Sequence, residues 1–221
     1  MRFDIITIFP HMFDSYFNES IIKRAQEKKL VDIHVHDLRK FSRDKYKKVD
    51  DRPYGGGPGM VLKIEPIAGA LCSILKTMGK KQKTKVILFS AAGKQFDAKT
   101  AREWSKKYVR IIMVAGHYEG VDERITKVLQ VTSHKLQVIS VGPYVLTGGE
   151  IPAMIVVDAV SRHISGVLGK LESLEEKRLG VGIPMYTRPE VFIYKGKKYA
   201  VPKVLLSGNH KKIEEWRRKA K

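Results

Sequence analysis

The sequence predicts an α/β fold built on a mostly parallel sheet, because short apolar runs alternate with segments of helical spacing as far as Val167. Strands that alternate with helices need crossover connections, which make neighbouring strands parallel. A second observation is that a glycine-containing loop follows three of the predicted strands. Because ligands of parallel sheets bind beyond the carboxyl ends of strands, we expect these loops to converge on one pocket.

The period of the apolar residues places each element in order along the chain. Short apolar runs predict strands at Phe3–Phe9, Asp32–Asp37, Lys85–Phe89, Ile111–Ala115 and Leu136–Val141. Helical spacing predicts helices at Ser20–Lys29, Pro66–Met78, Ala98–Lys107, Asp122–Val131 and Pro152–Ile164. Ser20 is suited to cap the first of these helices, and Pro152 suits the first position of the last one.

The periodic pattern weakens after Val167. Residues 169–184 are charged and contain glycine without a clear period, which predicts a linker between two domains. The chain is therefore expected to form one domain over residues 1–168 and a short basic C-terminal domain over residues 185–221. The element predicted in this second domain is a terminal helix from Lys211.

The chain of 221 residues carries 42 Lys and Arg against 23 Asp and Glu, a net charge of +19. Basic residues are clustered in two segments, Arg39–Lys48 and Lys203–Lys221. A basic proteome or a need for solubility also raises net charge, but clustering favours a nucleic acid as the partner.

Other features of the composition argue against several classes of protein. No apolar run approaches the ~20 residues that span a membrane, and Asp4 interrupts the first apolar run, unlike a signal peptide. The single cysteine, Cys72, excludes an internal disulfide and suits the cytoplasm; in its apolar helix we expect an inert core thiol. His34 and His36 share a strand face without a third ligand at suitable spacing, so no metal site is expected.

The segment Ser140–Ala153 is the most informative stretch of the chain. A strand ends in a loop with three glycines, and a long apolar segment follows Pro152. Glycines at such a turn permit positive φ and a close backbone approach to a ligand. A tight connection without a ligand explains the same loop equally well.

Two further loops contain glycine. In Gly116–Arg124, we expect Asp122 and Glu123 to stabilise a helix start and Glu119 to take a site role, since a carboxylate there can bind a sugar hydroxyl or an amine. The loop Asp50–Met60 holds four glycines but lacks the Gly-Lys-Ser/Thr ending of a P-loop. The dinucleotide-binding fingerprint is also absent after the first strand.

Together these segments closely resemble the bacterial tRNA (guanine-N1) methyltransferase family of the SPOUT class. The resemblance is strongest in Val49–Met60, Gly116–Arg124 and Val141–Ala153, and it continues through Ile5–Pro10, Tyr186–Glu190, Val204–His210 and Trp216–Arg218. It implies a parallel sheet with a deep trefoil knot, a small C-terminal helical segment and a cytoplasmic homodimer with sites between the subunits. It also implies S-adenosylmethionine as cofactor, tRNA as partner and no membrane.

The resemblance assigns residues to roles. It implies contacts to S-adenosylmethionine from Ser90, Gly93, Gly116, Tyr118, Glu119, Gly120, Val141, Gly142, Tyr144, Val145, Leu146, Gly148, Gly149 and Pro152. It implies RNA contacts from Arg52, Tyr54, Arg188, Ser207, Asn209, His210, Arg217 and Arg218. The implied reaction methylates N1 of the guanosine just 3′ of the anticodon, position 37, with Arg162 stabilising charge on guanine O6. Whether magnesium assists is left open.

The sequence also departs from the family pattern. Residues 170–180 hold no aspartate where the family keeps its base, so Glu172 is the expected base and Glu175 the second candidate. Pro143 stands where the family has aspartate, the stretch Ile125–Gln137 is longer, and the chain stops just after Trp216. The alternatives are therefore a catalytically impaired RNA- or cofactor-binding member of the same fold, and a SPOUT methyltransferase for another RNA position.

Overall fold

A computed structural model describes residues 1–77, 82–130, 136–169 and 182–219. It divides into two compact units, Met1–Leu168 and Gly169–Lys221. Among the described residues, none of the helices combines the length and the apolar character needed to cross a bilayer.

The first unit is built on a five-stranded sheet with the strand order β2-β1-β6-β5-β7. Its strands are β1 (Arg2–Thr7), β2 (Asp32–Asp37), β5 (Thr84–Gln95), β6 (Arg110–Val114) and β7 (Leu136–Ser140). Every pairing in this sheet is parallel, which confirms the predicted α/β class with a parallel central sheet. The short strands β3 (Asp50–Asp51) and β4 (Val61–Leu62) form a separate antiparallel pair.

Helices cover both faces of this sheet. They are α1 (Asp14–Phe17), α2 (Ser20–Glu27), α3 (Ile64–Lys76), α4 (Ala98–Lys107), α5 (Arg124–Gln130) and α6 (Glu150–Ser161), with 3₁₀ helices at Pro10–Phe13 and Leu38–Phe41. The alternation of strand side chains separates two cores: Phe3 and Ile5 pack towards α2, α4 and α6, and Ile6 packs towards α3 and α5. The strand interiors are therefore apolar on both faces, as buried parallel strands require.

The second unit contains a β-hairpin as well as helices. Strands β8 (Val191–Tyr194) and β9 (Lys197–Ala200) pair antiparallel, followed by α7 (Lys203–Leu206) and α8 (His210–Lys219). The expectation of a terminal helix is confirmed, beginning one residue before Lys211. The hairpin was not predicted, because Val191–Tyr194 is too short an apolar run to indicate a strand by its period; all residues of both strands are exposed.

Two boundaries predicted from the sequence are wrong. The segment Ser90–Gly93, expected to be a loop, lies inside β5, which continues to Gln95 beside β7 with a register shift between Phe89 and Lys94. Helix α6 begins at Glu150, so Pro152 is its third residue instead of its first. A proline is tolerated there because the first four N–H groups of a helix have no partner within the helix.

Two local expectations also fail. Helix α2 begins at Ser20 itself, with Glu19 at the N-cap position and no side-chain cap. Cys72 is exposed, because the buried residues of α3 follow the stripe Ile67, Ala70, Leu71 and Ile74, and position 72 lies off that stripe.

A buried ionic cluster centred on Asp4 crosses three strands of the sheet. Asp4 is fully buried and accepts hydrogen bonds from Arg110 Nε at 2.6 Å, His36 Nε2 at 2.8 Å and two Arg2 nitrogens at 3.0 Å. Burial alone would raise the pKa of Asp4, but the hydrogen bonds from His36, Arg110 and Arg2 outweigh it and hold the pKa well below its usual range. The cluster therefore ties β1, β2 and β6 together through one ionised carboxylate.

We expect Asp4→Asn to lower the free energy of unfolding by about 3–5 kcal/mol, because it leaves the buried Arg110 guanidinium without a compensating charge. The matched control is Asp32→Asn, which removes an exposed carboxylate that contacts Arg2 and His34 and should cost less than about 1 kcal/mol. Urea unfolding at neutral pH measures both.

Because the pKa of Asp4 is lower in the folded protein than in the unfolded chain, its carboxylate contributes fully to the free energy of unfolding above about pH 4, the pKa in the unfolded chain. This contribution is lost as the pH falls further towards the lower pKa of the folded protein. Equal stability of the two variants at neutral pH would contradict the assigned role of the cluster.

Candidate active site

A cleft of about 280 Å³ opens beyond the carboxyl ends of β6 and β7 and beside the middle of β5. Its walls are residues 88–91 of β5, the loop from Gly116 to Val121, the loop from Val141 to Gly149, and Pro152 near the start of α6. The three segments that the sequence predicted to converge do meet here, because β6 and β7 end at one edge of the sheet and the register shift of β5 lies at the same edge. Each residue expected to contact S-adenosylmethionine lines this cleft, with the exception of Gly93.

Gly93 has a packing role instead. A Cβ at this position would lie 2.6 Å from the backbone N and C of Ile139 in β7. The glycine allows β5 to bulge past β7 at the register shift and still pair with it. Ser90, three residues earlier, lines the cleft.

The two loops on either side of the cleft are joined by main-chain contacts. Gly149 N donates to Gly116 O at 2.7 Å, and His117 and Gly148 form an antiparallel bridge. A Cβ on Gly149 would lie only 2.6 Å from Ala115 Cα. The glycine at position 149 is therefore required by the approach of one loop to the other.

A group of polar side chains on the protein-interior side of these two loops supports them. Glu150 is 2% exposed and accepts a hydrogen bond from Thr7 Oγ1 at 2.7 Å. His117 Nδ1 lies 3.5 Å from Glu150 Oε2, without hydrogen-bond geometry, and the His117 ring packs edge-on against Phe9 and Tyr118. Sequence reasoning missed Glu150 and His117 as site residues; a carboxylate at the start of the apolar segment of α6 was the available clue.

The Val141–Gly149 loop is shaped by two local interactions. Ser140 Oγ donates to Gly142 O at 2.8 Å and holds the turn after β7. The ring of Tyr144 occupies the space where a side chain on Gly142 would lie. Tyr144, Val145 and Leu146 are exposed, so this loop presents both backbone and apolar side chains to the cleft.

A second cleft of about 850 Å³ adjoins the first, and both are lined by Val121 and Glu123. The expected RNA-binding residues Arg52 and Tyr54 line the second cleft, and the Tyr54 side chain is fully exposed. The glycine-rich loop that carries them is bound to the first site, because Glu119 N donates to Met60 O at 3.0 Å.

Asp122 stabilises the start of α5, as predicted. Its side chain accepts from Arg124 N at 3.0 Å and pairs with the Arg124 guanidinium at 2.6 Å. The Arg124 guanidinium in turn lowers the pKa of Asp122. Both groups line the second cleft, beside Arg52 and Tyr54.

Of the two expected catalytic residues, only Arg162 is among the described residues, and it does not line the first cleft. Arg162 directly follows the 12 residues of α6, whose first residue Glu150 supports the cleft; at ~1.5 Å of rise per residue this places Arg162 about 18 Å along the helix axis. Glu172 and Glu175 lie outside the described residues. Also on α6, Asp158 accepts a hydrogen bond from the Tyr16 hydroxyl. Burial of the Tyr16 hydroxyl and, to a smaller extent, this hydrogen bond raise the pKa of Tyr16 to about 12.

The other residues expected to contact RNA lie in the second unit. Arg188 and Arg217 line a cleft of about 680 Å³ together with Tyr186. Asn209 caps α8, since its Oδ1 accepts from Lys212 N at 3.1 Å, and Ser207 Oγ accepts from Asn209 N at 3.2 Å. His210 and Arg218 are exposed on α8. Across the described residues, no group of three or more His, Cys, Asp or Glu side chains is arranged to hold a metal ion.

The sequence is similar to known proteins along its whole length. The family model described as tRNA (Guanine-1)-methyltransferase TrmD matches residues 1–221. Relatives named tRNA (guanine-N(1)-)-methyltransferase include one from Dictyoglomus turgidum, 51% identical over 99% of this chain and 84% of the relative, and one from Clostridioides difficile, 48% identical over 99% and 91%. A third, from Geobacter sp. strain M21, is 47% identical over 99% and 84%.

These matches extend over the loops that build the cleft as well as over the C-terminal unit. The glycine loops, the buried Glu150 and the parallel sheet that carries them thus occur in a sequence that matches a single family from its first residue to its last. The chain belongs to the tRNA (guanine-1)-methyltransferase family.

Proposed function

We propose that this protein transfers a methyl group from S-adenosylmethionine to N1 of guanine in tRNA, at the guanosine immediately 3′ of the anticodon, position 37. The observation that carries the proposal is the glycine-walled cleft beside β5 and beyond the carboxyl ends of β6 and β7, in a chain of this family. A second cleft with Arg52 and Tyr54 beside it provides a place for the RNA next to the donor.

The residues present suit S-adenosylmethionine. Gly142, Gly148 and Gly149 line the cleft at positions where a Cβ would collide with a neighbouring group of the protein, so the backbone of these loops can approach a flat adenine edge closely. Glu119 at the cleft wall can accept hydrogen bonds from ribose hydroxyls or from an amine. When bound, S-adenosylmethionine supplies an electrophilic methyl group on a positively charged sulfur.

The protein must also remove a proton. Guanine N1 carries a hydrogen and is a poor nucleophile until a base accepts that hydrogen. We assign this role to Glu172, with Glu175 as the second candidate, and we assign to Arg162 the stabilisation of negative charge that develops on O6. Positioning of the two reactants by the clefts supplies the rest of the rate enhancement.

The position of Arg162 supports a homodimer. It lies beyond the far end of α6 from the cleft wall, so a second copy must bring an Arg162 to each cleft if that residue is to act on the guanine. The deep trefoil knot belongs to the same proposal, and membership of the family supports it. We further propose that the enzyme acts in the cytoplasm, where its tRNA partner is found. Whether magnesium takes part stays a prediction that a chelator in the methylation assay tests.

Incubation of unmodified tRNA with the protein and S-adenosylmethionine should produce 1-methylguanosine, measured by mass spectrometry of the digested nucleosides. Glu172→Gln should slow single-turnover methylation by about 10²–10⁴-fold, because a general base contributes that factor. Cofactor affinity should be unchanged.

Glu175→Gln is the matched control for Glu172→Gln. Full activity in Glu172→Gln with loss in Glu175→Gln would move the base to position 175. Methylation at another nucleotide would favour the alternative RNA position, and absence of any product with retained cofactor binding would favour a catalytically impaired member of the fold.

Gly142→Val should lower the affinity for S-adenosylmethionine at least ~10-fold, because a branched side chain would displace Tyr144 and block the backbone of the loop. Isothermal calorimetry measures the change. Gly169→Val is the control, since a Cβ at Gly169 meets no atom within 4 Å. Unchanged affinity in Gly142→Val would exclude this loop as the cofactor site.

Mixing two inactive variants tests whether sites are shared between subunits. At a concentration of S-adenosylmethionine too low to occupy Gly142→Val, this variant and Arg162→Ala should each have little activity alone, while a refolded equimolar mixture should recover about a quarter of the unmodified activity, because half the dimers are mixed and each mixed dimer has one intact site. If Arg162 acted within its own chain, the mixture would stay inactive. The rate of methyl incorporation into tRNA is the readout.

A further inference from the structure

The hairpin of the second unit is held in one register. Strands β8 and β9 are joined by Lys195 and Gly196, with φ values of 47° and 74°. Two successive positive φ angles define the type I′ turn, whose twist matches that of paired antiparallel strands. Val201 N donates to Glu190 O at 2.9 Å and extends the pairing beyond the strand ends. The side chains of this hairpin therefore occupy defined faces.

One face of the hairpin is aromatic and exposed. Phe192 lies opposite Tyr199, and Tyr194 lies opposite Lys197, so these four side chains share a face. Phe192, Tyr194 and Tyr199 are each 54% exposed. The rings of Phe192 and Tyr194 are nearly parallel, with an interplanar angle of 13° and centroids 6.3 Å apart. Phe192, Tyr194 and Tyr199 thus form an aromatic platform whose rings are each about half exposed.

The platform is surrounded by positive charge. Residues 191–200 contain three lysines and no acidic residue. Lys195 Nζ lies 5.6 Å from the centre of the Tyr194 ring, and Lys197 stands on the aromatic face itself. A surface for another protein is depleted in lysine at its centre, whereas flat aromatic rings interleaved with lysines match the stacked bases and phosphates of single-stranded nucleic acid.

We propose that the aromatic face of this hairpin, Phe192, Tyr194 and Tyr199, is a stacking platform for unpaired bases of the RNA substrate, with Lys195 and Lys197 contacting the adjacent phosphates. The proposal rests on the proposed function, since it takes tRNA as the substrate. Stacking on exposed rings is possible only for bases outside a duplex, so the platform selects RNA by the presence of an unpaired, splayed segment.

Binding of unmodified tRNA to variants of the platform tests the proposal. Tyr194→Ala and Phe192→Ala should each weaken binding about 5- to 100-fold, the loss that removal of a stacked base causes. The dependence of affinity on salt should stay unchanged in both, because no charge is altered. Tyr194→Trp should keep the affinity, whereas Tyr194→Leu, apolar but not aromatic, should not.

Replacement of the lysines, in contrast, should change the dependence of affinity on salt. Lys195→Gln and Lys197→Gln should each reduce the slope of log affinity against log salt by about 0.7, the value for one phosphate contact in a single strand. Ile193→Ala, on the opposite face of the hairpin, is the matched control and should leave affinity and slope unchanged. A single-stranded oligonucleotide should compete for the platform better than the same sequence in a duplex.

Failure of this proposal is distinguishable from failure of the proposed function. If the unmodified protein methylates tRNA and both alanine variants bind tRNA normally, the platform does not contact RNA. If the alanine variants instead convert a dimer into a monomer in sedimentation velocity, the face is an interface between protein chains, and the proposal is wrong. If Tyr194→Leu restores affinity as well as Tyr194→Trp, the contact is apolar and not stacking.

Discussion

The candidate active site depends on the main-chain hydrogen bond from Gly149 to Gly116. It joins the loops that follow β6 and β7, and it needs glycine at position 149, where a Cβ would lie only 2.6 Å from Ala115 Cα. The buried Glu150 lies directly after this contact, accepts a hydrogen bond from Thr7 of β1 and lies 3.5 Å from His117 Nδ1 of the facing loop. Three strand ends are thus linked at a single point, and the cleft is the space left between them.

The ionic cluster around Asp4 performs a related task at the other end of the sheet. Asp4 lies near the start of β1 and Thr7 at its end, so a single strand carries both the polar hub of the sheet and the support of the cleft. Polar groups buried at both ends of β1 have partners on neighbouring strands, which restricts how these strands can pair. The apolar side chains of the strand interiors bury apolar surface, but they do little to select which strands pair with one another.

The two units divide the proposed reaction between them. The first unit holds the cleft for the methyl donor and, beside it, Arg52 and Tyr54. The second unit carries Arg188 and Arg217 around its own cleft and an exposed aromatic hairpin among lysines. A donor site needs rigid backbone on strand ends, whereas an RNA-contacting surface needs exposed rings and charges, and the two units are built accordingly.

The sequence by itself determined the parallel α/β sheet, because the alternation of apolar runs and helical spacing reports burial directly, and it placed Ser90, Gly116 and Gly142 at one pocket because strand ends of such a sheet meet at one edge. Only the tertiary structure decided that Gly93 packs against Ile139, that Glu150 supports the cleft and that Cys72 is exposed. These outcomes depend on contacts between residues distant in sequence. The hairpin also needed the structure, since a four-residue apolar run such as Val191–Tyr194 is too short to predict a paired strand, and all residues of both strands are exposed.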